Sequence, residues 1–129
     1  MGTSSSKVEE AILGKTYQTS NTLYLYPYVS DDPETTIRWK MSPVHIDPIS
    51  QLRGKVVSIG SVLRVVRVNR KEYDPDTEEY AYEVIVNYFD TEVLCLVDNA
   101  RTSANALAMY LFYFAGETIV AEPIYLHRV

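Results

Sequence analysis

The chain has 129 residues, 47% of them apolar and 22% charged, with a formal net charge of -5 and one cysteine. This length suits a single domain with its own core, and the composition excludes a disordered chain. The acidity disfavours non-specific attraction to nucleic acid or anionic membranes, and one thiol excludes an internal disulfide or a cysteine-based zinc site.

Residues 1–7 form a polar, Ser-rich tail, and the globular domain is expected over 8–129. Gly2 followed by Ser6 fits the N-myristoylation pattern, but Glu9 and Glu10 stand where a second, basic anchoring signal is needed. Membrane contact is therefore expected only if Gly2 is acylated. No leader-like segment is seen, and no apolar stretch reaches the roughly 20 residues of a membrane span. An intracellular, cytoplasmic chain is the expectation.

Residues 8–13 suit a helical turn ended by Gly14. Leu23 and Leu25 alternate with Tyr24 and Tyr26 as in a strand, and Asp31, Asp32 and Pro33 supply turn chemistry before a second strand over 35–41. The two read as a hairpin. Pro43 and Pro48 then mark a surface connection carrying His45.

Residues 55–69 give the strongest strand signal, with Gly60 as the place for a bend. Alternation fails inside this strand, and a bulge near Val65 and Val66 would repair it. Asp74 and Pro75 suit the first two positions of a type I turn. The return strand over 79–89 places Tyr80, Tyr82, Val84, Val86 and Tyr88 on one face, and residues 91–97 read as a central strand, apolar on both faces. A helix is predicted over 100–115, capped by Asp98 or Asn99 and ended by Gly116. Residues 118–121 and 124–126 close the chain as strand.

The resulting fold class is α+β and mainly β: a small antiparallel barrel or curled sheet of five to seven strands, with one helix in the C-terminal half. From Lys55 onward the order of elements matches an OB-like barrel, with an extra hairpin before it.

Charge is divided across the 55–89 hairpin. Arg53, Lys55, Arg64, Arg67, Arg70 and Lys71 lie in a stretch without acids, and residues 72–92 then carry eight acids and no Lys or Arg. Arg64, Arg67, Arg70 and Lys71, with Tyr80, Tyr82 and Tyr88, are the candidate binding residues, because cations and rings together suit phosphates and bases. The alternative is cross-strand neutralisation by Glu79 and Glu83. Arg64, furthest from the acidic end, is covered least by that explanation.

No phosphate loop, dinucleotide glycine pattern or metalloprotease helix is present. Cys95, between Leu94 and Leu96, reads as a buried and inert thiol. Two separate histidines do not suggest a metal centre, and no cofactor is implied. The expected function is a non-enzymatic protein-interaction or assembly component, through a protein partner or self-association. The alternative is single-stranded nucleic-acid binding by the OB-like barrel.

Overall fold

The computed structural model describes residues 11–30, 32–45, 54–76, 79–98, 109–115 and 118–129, with only the backbone described in 71–74 and 79–81. Their regular structure is mainly β. Ten strands follow in order: β1 (Thr16–Thr19), β2 (Leu23–Pro27), β3 (Trp39–Ser42), β4 (Lys55–Val57), β5 (Val62–Asp74), β6 (Glu79–Tyr88), β7 (Thr91–Asp98), β8 (Phe112–Ala115), β9 (Thr118–Ala121) and β10 (Leu126–Arg128). Val, Ile, Leu and Tyr dominate the long central strands, which suits a pleated, half-buried surface.

The main sheet runs β10-β1-β5-β6-β7-β3-β2-β4, with β8 joined to β7 and β9. It curls into a half-barrel, since β4 at its far end passes through the turn at 58–61 directly into β5. The curl has one continuous register. Thr16 opposes Arg64, and Leu23, seven residues further on, opposes Val57, seven residues back, so β1–β2 and β4–β5 pair antiparallel on both sides of a shared bend.

That bend is held by backbone and hydroxyl together. Gly60, at φ +90°, gives the chain its left-handed turn, and its N–H donates to the Thr19 carbonyl at 2.9 Å. The buried Thr19 hydroxyl donates to the Ser58 carbonyl at 2.9 Å and accepts from the Ser61 N–H at 3.0 Å.

The inner face carries the core. Leu63, Val65, Val84, Val86, Val93 and Cys95 pack there with Leu23, Leu25, Met41, Val57, Phe112, Ile119 and Leu126. Each fully buried aliphatic side chain contributes about 1.5–3 kcal/mol from its removal from water. A smaller cluster on the outer face joins Ile37, Ile85 and Leu94, with Tyr28, Val66 and Leu96 against them. Thus β6 and β7 are covered on both sides, as expected for β7.

Several expectations need correction. Phe112–Ala115, the end of the predicted 100–115 helix, is a strand that pairs with β7 and β9; three consecutive aromatic residues favour the pleated conformation. Residues 109–111 are not helical, and 100–108 lie outside the described residues. There are more strands than five to seven, and the sheet is not wholly antiparallel, because β3 and β8 each run parallel to β7. The N-terminal hairpin is not an addition: β2 pairs with β4 and β3 with β7. The expected strand over 35–41 begins only at Trp39, and the one over 124–126 begins only at Leu126, as β10, after a turn over 123–125. The bulge is present, as a register shift between Val65 and Arg67, and the Pro75 turn joins Asp74 to its partner Glu79.

Candidate functional site

The bulge decides how the basic strand presents its charges. Before it, Arg64 alternates with the buried Leu63 and Val65 and lies outward, opposite Asn87. One extra residue then carries Arg67 to the same outer face, opposite Ile85, and Asn69 follows it, opposite Glu83. Arg70, opposite Tyr82, is out of step with them in the register, although it too borders the groove over this face. The candidate cations therefore do not form a single row.

Their partners differ as well. Arg67 Nη1 lies 2.8 Å from Glu92 Oε2, across β6 on β7, a partner other than the Glu79 and Glu83 that the sequence suggested. Both side chains are more than a third exposed, so the pair contributes at most about 1 kcal/mol. Arg70 and Glu83 each have an interaction of their own, so neither is free. Arg64 is exposed and makes no ion pair or side-chain hydrogen bond among the described residues.

The two candidate rings that are described, Tyr82 and Tyr88, face inward. Tyr82 packs against the core and meets the Phe114 ring edge-on at 5.1 Å, and Tyr88 packs there too, with the Phe89 ring 4.7 Å away. Neither presents an open stacking face beside the outward arginines. Lys71 and Tyr80 belong to β5 and β6 by backbone, while their side chains, like Gly2, lie outside the described residues.

What the structure does assemble is a groove of about 320 Å³ over the outer face of β5, β6 and β7. Its floor includes Ile85 and Leu94, one wall carries Arg67, Asn69, Arg70 and Glu83, and the loop joining β2 to β3 supplies Tyr28, Asp32, Glu34, Thr35, Thr36 and Ile37. Local turn chemistry shapes the loop: Asp32 Oδ1 accepts from the Glu34 N–H at 2.9 Å, and Thr35 Oγ1 from the Ile37 N–H at 3.2 Å. Ile37 then anchors the loop on Ile85 and Leu94. Sequence reading found the turn at Asp32 and Pro33 but not this wall, because contact between the loop and β5 depends on the parallel pairing of β3 with β7.

A second surface feature lies at the tip of the β6–β7 hairpin. Phe89, expected to end the strand, instead forms a two-residue loop with Asp90, and both have positive φ, 48° and 60°. Phe89 is 82% exposed.

Cys95 is fully buried, and burial pushes its thiol well above the usual range, which removes the reactive thiolate. The His45 ring lies against Tyr24 at 4.9 Å, and His127 Nε2 is 3.2 Å from Gln18 Oε1. Among the described residues no three His, Cys, Asp or Glu side chains are grouped to hold a metal, and no helix is long and apolar enough to cross a membrane. Comparison of the chain with protein-family models, with curated proteins and with solved structures finds no match.

Proposed function

We propose that the chain is a non-enzymatic protein-interaction component built on an OB-like barrel in permuted strand order, with its partner held in the groove beside the β2–β3 loop. An OB barrel is a five-strand ring whose first strand pairs with the second and fourth and whose third runs parallel to the fifth. Reading β4–β5 as the first strand, β6 as the second, β7 as the third, β1–β2 as the fourth and β3 as the fifth reproduces those pairings. OB barrels bind ligands on the face of strands two and three, between the loop after the first strand and the loop after the fourth. The corresponding features here are the outer face of β6–β7, the Pro75 turn and the β2–β3 loop. The correspondence is a fold-level analogy, and the chemistry of the groove chooses the ligand.

The observation that carries the choice is the groove's mixed lining. Asp32, Glu34 and Glu83 share it with Arg67 and Arg70, and Arg67 already has Glu92 as a counter-ion. A polyanion would meet those acids on a chain of net charge -5, whereas a polypeptide offers both signs of charge and apolar groups for Ile85 and Leu94.

The test is affinity capture from the native host with the wild-type chain and with Thr36→Trp, which fills the groove from an exposed position. A stoichiometric protein retained by the first and lost with the second is expected. In parallel, a fluorescent single-stranded thymidine oligonucleotide should give no anisotropy change at low salt. Salt-sensitive oligonucleotide binding weakened by Arg64→Ala, with no captured protein, would establish the nucleic-acid alternative instead.

A further inference from the structure

We propose that Phe89 and Arg64 form a second docking site, for a partner-protein segment that places a carboxylate beside large apolar side chains. This rests on reading the domain as a protein-binding module, and it concerns a surface other than the groove.

The first reason is conformational. Two-residue hairpin loops with positive φ at both central positions strongly favour Asn-Gly or Asp-Gly, because a Cβ is disfavoured there. The chain instead places Phe89 at φ 48° and Asp90 at φ 60°. Phe89 does not gain burial in return, being 82% exposed. Its ring is nonetheless braced by Tyr88, edge-to-face with centroids 4.7 Å apart. A large ring kept in a strained backbone conformation and directed to solvent is the kind of outlier from which a binding role is inferred.

The second reason is the surrounding surface. Arg64 opposes Asn87, and the same antiparallel register brings Val62, two residues earlier, toward Phe89, two residues beyond Asn87. Val62 is 54% exposed. On the other side Thr16 and Gln18 of β1 oppose Arg64 and Val62, so the flanking groups are uncharged. Among the described residues, the acids that the register brings toward this surface are Glu92, engaged by Arg67, and Asp90 in the loop itself. Arg64 thus lies outward with no ion-pair partner among the described residues, beside an exposed aliphatic and an exposed aromatic side chain. Arg and aromatic anchors around an apolar centre make up an interface hot spot.

Charge complementarity selects the occupant. A carboxylate can accept two hydrogen bonds from the Arg64 guanidinium while apolar neighbours cover Val62 and Phe89. A second copy of this chain fits poorly, because each copy carries a net charge of -5 and like-charged copies repel.

The probe is a phage-displayed library of random peptides, panned separately on the wild-type chain, Phe89→Asn, Arg64→Ala and Thr36→Trp. Peptides carrying Asp or Glu beside large apolar residues should enrich on the wild type. Synthetic versions should lose about tenfold or more in affinity on Phe89→Asn and on Arg64→Ala, and nothing on Thr36→Trp. Asn tolerates the left-handed backbone, so Phe89→Asn should melt a few degrees above the wild type, which separates lost binding from lost folding. The proposal is overturned if the peptides bind Phe89→Asn as well as the wild type, if enriched sequences lack acids, or if Phe89→Asn melts lower. It is also overturned if this surface instead supports a wild-type dimer, seen by light scattering, that Phe89→Asn abolishes. Peptides that respond only to Thr36→Trp would leave the groove standing and remove this site; no enrichment on any of the proteins would count against both.

Discussion

Thr19 and Cys95 are both buried within the sheet, and they contribute in different ways. The Thr19 hydroxyl bonds the Ser58 carbonyl and the Ser61 N–H, so Thr19→Val removes two hydrogen bonds from the bend, while the Ser58 carbonyl still accepts from the Ser61 hydroxyl at 2.7 Å and the Ser61 N–H at 3.3 Å. A loss of about 1–3 kcal/mol is expected in urea unfolding. Cys95 contributes packing and an alkaline limit. Burial raises its pKa and those of Tyr17 and Tyr125, the latter also under the influence of Glu122. A raised folded-state pKa gives stability that is complete below the unfolded value and declines as pH rises above it. Stability should therefore begin to fall above about pH 9, first through Cys95, and Cys95→Ala should delay that onset in a pH series of melts. A native thiol that reacts promptly with an aromatic disulfide reagent at neutral pH would contradict its enclosure. The burial of Cys95 was readable from Leu94 and Leu96, which flank it in an apolar run. Thr19 was not, because its partners lie about forty residues away across the bend.

At the scale of elements, the bulge in β5 was legible because period-two alternation visibly fails within 62–69, and only one inserted residue restores it. Its consequence for charge was harder to see. The shift brings Arg67 within reach of Glu92, two strands away, whereas sequence reasoning compared only strands joined by the Pro75 turn. The predicted helix failed over its last four residues for a related reason. A run apolar on every side suits an enclosed helix or an enclosed strand, and for Phe112, Tyr113 and Phe114 the open edge of β7 and the return of β9 favoured the strand. Gly60 tests the bend at this scale. A Cβ there meets nothing closer than Gln18 Nε2 at 3.8 Å, so the cost of Gly60→Ala is the backbone's at φ +90°, about 1 kcal/mol by chemical denaturation.

For the whole molecule, the curl depends on the N-terminal hairpin. β2 and β3 together cover β4 and the near half of β7, and Leu23, Leu25 and Met41 fill the core between them. A chain beginning at Gly54 should therefore lack cooperative unfolding in calorimetry and dispersed amide resonances, although it contains every long strand. Had the hairpin been an addition to a complete barrel, that fragment would fold. Its place could not be read from local pattern, since a hairpin does not state which strands lie beside it. The pairing of β3 with β7 also brings the β2–β3 loop over β5, and the candidate groove went unseen in the sequence for the same reason.

The register that continues through the shared bend makes the lengths of two distant segments depend on each other. One residue inserted among 20–22 would shift either β1 against β5 or β2 against β4 by one place, turning buried side chains outward along a whole strand. A second residue inserted among 58–61 would lengthen the other side equally and restore both ladders. Glycine insertions made singly should each destabilise severely, and the double insertion should recover much of the loss. Among relatives of this chain, the two bends should gain and lose residues in step.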